Sequence, residues 1–147
     1  MMTRRVTLLL TFAYVVVLAL IAFWPTPVDR DARGSLLALI GWLHNHGAPL
    51  WVDYDFAEFS ANVALFVPVG LFVGMLAGAR RWWLGIVVGF FTSCGIEIGQ
   101  LMFLPERFAT VNDVIANTLG AVFGTVFALL VLWVIHARHG TPERRAA

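Results

Sequence analysis

A single carboxylate interrupts the long apolar runs of this sequence. Of the nine acidic residues in the chain, Glu97 is the one that lies deep inside such a run. Gln100 follows it by three residues and Ser93 precedes it by four, so all three share one face of a helix. A carboxyl group at membrane depth is costly, which makes it a candidate functional group by default. It can accept hydrogen bonds from a ligand or act as a general acid or base.

Further polar residues are predicted to lie at the same depth as Glu97. Asn62 lies near the start of the second apolar run, whereas Asp113 and Asn117, four residues apart, share a face at the start of the fourth. Arg107 lies in the short connection between the third and fourth runs. We therefore expect a polar pocket that is floored by apolar side chains and open to one membrane face. Its predicted ligand-binding residues are Asn62, Glu97, Gln100, Arg107, Asp113 and Asn117, of which Glu97 and Asp113 are the candidate catalytic groups.

A structural explanation stays open for each of these residues. Buried Asn and Gln side chains often tie membrane helices together. Glu97 could pair with Arg107 and close the bundle. Asp113 could serve only as a negative charge at a helix start, where Asn112 could provide the cap. The convergence of the whole set at one depth favours a functional pocket.

The composition predicts a lipid bilayer as the surroundings of these residues. Hydrophobic residues make up 60% of the 147 residues, charged residues 13%, and the mean hydropathy is +0.82. Soluble domains average about 45–50% apolar and about 25% charged residues. The net charge of +1 argues against a nucleic-acid partner, and the single cysteine, Cys94, excludes a disulfide scaffold.

Four apolar runs are long enough to cross a bilayer, which takes about 20 residues of helix. They cover approximately residues 6–24, 59–79, 82–104 and 114–136. The sequence therefore predicts an all-α polytopic membrane protein, a four-transmembrane-helix bundle that forms a single domain over residues 1–147. The first run follows Arg4 and Arg5 as a signal peptide would. It is longer than the core of a signal peptide, and no small-residue cleavage site follows, so an uncleaved helix is favoured.

The connection between the first two runs contains a shorter apolar segment at residues 34–43. This segment is too short to cross the bilayer, and Ser35 could cap a helix there. We expect a short interfacial helix in the first outer loop. A hydrophobic segment that merely packs on the bundle is an equal alternative.

The arginines predict the orientation of the chain. There is no lysine, and seven of the ten arginines lie in the two termini and in the turn with Arg80 and Arg81. By the positive-inside rule, both termini and this turn are expected in the cytoplasm, with the polar pocket on the outer face. We therefore expect a multi-pass protein of the cell's plasma membrane.

Glycines at four-residue spacing predict close packing between the last three spans. They are Gly70, Gly74, Gly78, Gly85, Gly89, Gly95, Gly99, Gly120 and Gly124. A homo-oligomer is compatible with this pattern but is not implied by it. Pro68 lies inside the second run, where it should kink the helix and free backbone carbonyls for other partners. His44 and His46 lack a third ligand nearby and no glycine-rich phosphate loop is present, so no metal and no cofactor is expected.

The same residues resemble a known family. The second run reads NVALFVPVGLFVG, the third contains SCGIEIGQ, and ERFATVNDVIANTLGAVFG follows. This pattern is similar to the VanZ-like family, bacterial multi-span membrane proteins named after a teicoplanin-resistance accessory protein. The matching positions are Asn62, Phe66, Pro68, Gly70, Glu97, Gln100, Arg107, Asp113, Val114, Asn117, Gly120 and Gly124.

The resemblance implies a role at the cell envelope without an established mechanism, so three hypotheses stay open. The first is an accessory protein whose outer pocket binds a lipid head group or the acyl-anchored end of a lipoglycopeptide, with Arg107 meeting an anionic group. The second is a membrane-embedded enzyme that modifies an envelope lipid, with Glu97 as acid or base and Asp113 as second carboxylate. The third and least favoured is a proton-linked transporter, for which four spans are few.

Overall fold

The computed structural model describes residues 2–24, 32–104 and 110–139, and all regular structure in these residues is helical. Four of the helices, in their segments Arg4–Ala22, Tyr54–Ala77, Leu84–Phe103 and Val111–Arg138, are long and apolar enough to cross a membrane. This confirms the predicted all-α polytopic bundle. In chain order the helices are α1 (Met2–Ala22), α2 (Arg33–Asn45), α3 (Tyr54–Ala77), α4 (Leu84–Phe103) and α5 (Val111–His139), with a short 3-10 turn at Ala79–Arg81 between α3 and α4.

The outer surface of the long helices is strongly apolar. Leu9 and Phe12 in α1 are 69% and 71% exposed, and Trp133 in α5 is 70% exposed. A surface of this kind is unusual for a protein in water but is what a lipid environment requires. Small and polar residues such as Ala121, Ala128 and Thr125 occupy many of the buried positions, beside a few large apolar ones such as Phe66 and Leu18.

The most extensive helix packing joins α3 and α5. It depends on glycines that bring the two backbones into direct contact. A Cβ atom added to Gly124 would lie 1.9 Å from the carbonyl oxygen of Val67, and one added to Gly120 would lie 2.1 Å from that of Val63. Close backbone approach of this kind replaces the hydrophobic driving force that is absent in lipid.

Helix α4 also packs on α5 through glycines at the contact. A Cβ atom on Gly89 would lie 2.3 Å from Cβ of Ala121, and one on Gly85 would lie 2.2 Å from Oγ1 of Thr125. Three glycines of the predicted pattern differ from the rest. Gly78 ends α3 with a positive φ of 75°. A Cβ added to Gly99 would lie 2.7 Å from the ring of Phe23, just after α1, and one added to Gly95 would meet no atom of another described element within 4 Å.

Helix α1 is held to α3 by Tyr14. Its ring packs edge-on against Phe72 with 6.0 Å between centroids, and its hydroxyl donates a hydrogen bond to the carbonyl of Leu65. Pro68 has no N–H for the carbonyl of Ala64, four residues earlier, and so weakens this part of the helical ladder. The hydroxyl of Tyr14 bonds the neighbouring carbonyl of Leu65 and not that of Ala64, so a new partner for the freed carbonyl stays a prediction.

Helix α2 connects α1 to α3 and is the predicted short helix. It begins at Arg33, so Ser35 lies inside the first turn and no side chain caps the helix at Ala32. The expected Ser35 cap is therefore wrong. The guanidinium of Arg33 lies 4.8 Å from the centroid of the Tyr54 ring, which ties the start of α2 to the start of α3.

The start of α3 lies earlier than the apolar pattern predicts. Asp53 caps it by accepting a hydrogen bond from the backbone N–H of Phe56 across 2.9 Å. As a result, Asp55 and Glu58 lie within the first two turns of α3 rather than in the loop. Because Asn62 contacts Asp113, this added part of α3 extends beyond the level of the first residues of α5.

Candidate functional site

The first helical turns of α5 form the centre of the candidate site. Thr110 accepts a hydrogen bond from the backbone N–H of Asp113 across 3.1 Å, and its hydroxyl donates to Oδ2 of Asp113 across 2.8 Å. This reciprocal arrangement is a helix cap built from a threonine and an acid three residues later. The expected cap at Asn112 is therefore wrong. The spacing Thr-x-x-Asp at positions 110 to 113 is the sequence signal that identifies Thr110.

Asp113 also joins α5 to α3. The side-chain amide of Asn62 donates a hydrogen bond to Oδ1 of Asp113 across 2.6 Å. Both carboxylate oxygens of Asp113 thus accept a bond, one from α3 and one from Thr110. The predicted convergence of Asn62 and Asp113 is realised as a direct contact.

Glu97 approaches the same place from α4. It is only 8% exposed, and its Oε2 accepts a hydrogen bond from the backbone N–H of Thr110 across 3.1 Å. That N–H stands at the start of α5, where helical N–H groups lack partners and favour negative charge. Thr110 therefore contacts two carboxylates, Glu97 through its backbone and Asp113 through its hydroxyl.

Two further buried polar groups of α4 lie on the face that carries Glu97. Gln100, which is 7% exposed, donates to the backbone carbonyl of Ala22 at the end of α1 across 2.8 Å. Ser93 accepts a hydrogen bond from Nδ2 of Asn117 across 2.9 Å. Within residues 2–24, 32–104 and 110–139, no group donates to the buried Oδ1 of Asn117.

The polar side chains of the site lie at two depths in the bundle. We call the seven side chains the polar cluster: Asn62, Ser93, Glu97, Gln100, Thr110, Asp113 and Asn117. Ser93 and Asn117 lie one helical turn deeper than Glu97 and Asp113, because each is separated from the corresponding acid by four residues.

Three of the six predicted ligand-binding residues, Asn62, Glu97 and Asp113, are joined directly or through Thr110. Gln100 and Asn117 lie on the same helix faces but bond to Ala22 and Ser93 instead. The sixth, Arg107, lies outside the described residues. Ser93 and Thr110 are the members of the polar cluster that the predicted set does not include. Within residues 2–24, 32–104 and 110–139, no three side chains of metal-ligating type come together. The polar cluster offers two carboxylates, three amides and two hydroxyls, which can form hydrogen bonds, and the carboxylates can transfer protons.

The fold and the polar cluster define a class: a polytopic helical membrane protein with a polar site near one end of an otherwise apolar bundle. The sequence model of one family, VanZ/LLP1, matches residues 11–133. The chain belongs to this family, which confirms the resemblance seen in the motifs of α3, α4 and α5. Comparisons with curated proteins and with solved structures gave no match.

Proposed function

We propose that the polar cluster binds the head group of a membrane amphiphile at the outer face of the plasma membrane. The observation that carries this proposal is the meeting of Glu97 and Asp113 at Thr110 in a protein with an apolar surface. Carboxylates at membrane depth are costly and typically serve a ligand, an ion or a proton. Ties between helices can be made by neutral amides and hydroxyls, which this bundle also contains.

The proposed ligand chemistry follows from the groups present. Carboxylates accept hydrogen bonds from hydroxyl, amide and ammonium groups, and these bonds are stronger than neutral ones. A lipid head group and the acyl-anchored end of a lipoglycopeptide both offer such donors next to an apolar chain. Arg107 is proposed to meet an anionic group of the same ligand.

We further propose a role in glycopeptide resistance, which this chemistry and membership of the VanZ/LLP1 family support. Teicoplanin is itself an acylated glycopeptide, so it belongs to the same ligand class as an envelope lipid. Expression of the wild-type chain in a teicoplanin-sensitive bacterium is expected to raise the inhibitory concentration of teicoplanin. Expression of Glu97→Gln is expected to raise it less.

The direct test is native mass spectrometry of the protein purified from membranes in lipid nanodiscs. Wild-type protein is expected to retain a specific lipid that Glu97→Gln loses, while both remain folded. Ile98→Ala is the matched control, because Ile98 neighbours Glu97 in α4 but is 57% exposed to the lipid phase. Identical retained lipids in the wild type, Glu97→Gln and Asp113→Asn would contradict the proposal.

The shared contact of two carboxylates with Thr110 also supports a second candidate, acid–base catalysis on an envelope lipid. In that case Glu97→Gln abolishes turnover but retains the bound lipid. Incubation of the purified protein with total envelope lipids, followed by mass analysis of the lipids, separates the candidates. Lipids left chemically unchanged by the wild type, with and without Mg²⁺, would argue against catalysis.

A further inference from the structure

The deepest part of the polar cluster is a pair of side chains from α4 and α5 with an incomplete set of hydrogen bonds. Ser93 is 0% exposed and Asn117 is 4% exposed. Nδ2 of Asn117 donates to Oγ of Ser93, whereas Oδ1 of Asn117 accepts no hydrogen bond from any residue that the structure describes. In the part of the chain that the structure describes, the hydroxyl of Ser93 accepts this bond and donates none.

Rotation of the amide does not remove the mismatch. If the two ends of the Asn117 amide exchanged places, the Ser93 hydroxyl could donate to Oδ1. Both N–H groups of the amide would then lose Ser93 as their acceptor. In either orientation half of a buried amide is unmatched. Nearly all buried polar groups in proteins are paired, so an exception of this kind calls for a specific explanation.

The unmatched atoms define the chemistry of a partner. The pair offers one donor, the hydroxyl proton of Ser93, and one acceptor, Oδ1 of Asn117. A hydroxyl group is complementary to both, because it can donate to Oδ1 and accept from Ser93. A phosphate diester or a carboxylate carries only acceptors at neutral pH and would repel Oδ1. A quaternary ammonium carries no donor.

The two carboxylates above the Ser93–Asn117 pair also favour a neutral hydroxyl as its partner. Glu97 and Asp113 lie one helical turn nearer to the membrane face, on the same helix faces as Ser93 and Asn117. Two carboxylates at this position disfavour an anion beneath them in a low-dielectric interior. A neutral hydroxyl avoids this repulsion.

We propose that the Ser93–Asn117 pair is a hydroxyl-recognition subsite, so that the amphiphile bound by the polar cluster carries a neutral glycerol or sugar hydroxyl. This rests on the proposed binding function and adds the chemical class of the head group. Both side chains are enclosed in this conformation. The hydroxyl therefore enters when the ends of α4 and α5 separate, which breaks the bond between Glu97 and the N–H of Thr110.

The test compares two probes that differ only in their hydroxyl groups. These are 1-monopalmitoylglycerol and the same molecule with both hydroxyls methylated. The full chain is placed in phosphatidylcholine nanodiscs, because the phosphocholine head group carries no hydroxyl that could compete. Native mass spectrometry counts the retained probe. The methylated probe can still accept from Ser93 but cannot donate to Oδ1 of Asn117, so the two probes differ by one hydrogen bond. At the upper end of ordinary net strength, this bond predicts about tenfold greater retention of the glycerol probe by wild-type protein.

A double variant, Ser93→Ala with Asn117→Leu, removes both polar groups. It is expected to retain the two probes equally. Its unfolding temperature without probe is expected to be no lower than that of the wild type, because an unmatched polar group has been replaced by an apolar one. Thr118→Val is the matched control. The Thr118 hydroxyl donates within α5, to the carbonyl of Val114 across 2.6 Å.

Each outcome of the comparison decides a different question. Equal retention of both probes by the wild type would overturn the hydroxyl subsite and leave the binding function intact. This is the result expected if the Ser93–Asn117 pair merely holds a water molecule. Retention of neither probe, together with a native lipid that Glu97→Gln loses, would overturn the subsite alone. Retention of neither probe with no such lipid would overturn both proposals.

Discussion

The side-chain amide of Gln100 in α4 donates a hydrogen bond to the backbone carbonyl of Ala22, the last residue of α1, across 2.8 Å. The final carbonyls of a helix have no donors within the helix and need partners from elsewhere. Gln100 supplies one such partner at a position where it is 7% exposed. This bond fixes the end of α1 beside the polar cluster and shows why a glutamine, rather than an apolar residue, is useful at this position.

We predict that Gln100→Leu destabilises the protein. The substitution keeps the volume of the side chain roughly but leaves the Ala22 carbonyl without its donor, at a cost of about 1–3 kcal/mol. The measurement is reversible unfolding in mixed micelles, followed by circular dichroism. Met102→Leu, on the same helix at a position that is 69% exposed, serves as control and is expected to match the wild type. Equal stability of Gln100→Leu and wild type would show that the hydrogen bond from Gln100 to Ala22 contributes nothing to the free energy of unfolding.

We predict that Gly124→Ala disrupts the contact between α3 and α5. The new Cβ would lie 1.9 Å from the carbonyl oxygen of Val67, and neither backbone can move without separating the two helices. Overpacking of this kind costs about 1–3 kcal/mol or more. The yield of monodisperse protein on size-exclusion chromatography and its unfolding temperature should both fall.

Gly95→Ala is the control for this prediction. Gly95 has the same four-residue relation to Gly99 that Gly120 has to Gly124, but an added Cβ would meet no atom within 4 Å. It should behave like the wild type. If Gly95→Ala and Gly124→Ala had the same effect, close backbone contact would not explain the role of Gly124.

These two glycines show where prediction from sequence succeeds and where it ends. Spacing by four residues correctly places small residues on one helix face. It does not say which face meets a neighbour, so Gly95 and Gly124 look equivalent in the sequence. The four long helices were predictable because their apolar length exceeds what a bilayer requires.

The polar cluster was predictable in part for a similar reason. Glu97 and Asn117 stand out because polar groups are rare in apolar runs. The acceptor of Gln100 is a backbone carbonyl, which carries no residue-specific signal. The incomplete bonding of Asn117 also depends on packing between α4 and α5, and no local pattern encodes that packing.

We predict that Thr110→Val weakens the start of α5. The variant keeps the backbone N–H that bonds Glu97 but loses the hydroxyl that caps the helix and contacts Asp113. Loss of a threonine cap costs about 0.5–2 kcal/mol. Unfolding in mixed micelles measures this cost. Asn112→Ala is the control, because Asn112 lies beyond the cap and is exposed. A larger effect of Asn112→Ala would contradict the assignment of the cap to Thr110.

We predict that the polar cluster faces the outside of the cell. Asn62 and Asp113 show that the starts of α3 and α5 lie at the same end of the bundle, so Arg80, beyond the far end of α3, lies at the opposite end. In a background with the single cysteine replaced, Cys94→Ala, a membrane-impermeant maleimide should label Trp51→Cys on intact cells. Trp51 precedes α3 and is 62% exposed.

For Arg80→Cys we expect no labelling on intact cells, because the positive-inside rule assigns its turn to the cytoplasm. It should be labelled only after the cells are permeabilised, and the Cys94→Ala parent should remain unlabelled throughout. The reverse pattern would place Glu97 and Asp113 toward the cytoplasm. An outer-leaflet lipid or an extracellular lipoglycopeptide could not then reach them, and the proposed ligand class would have to be abandoned together with the predicted orientation.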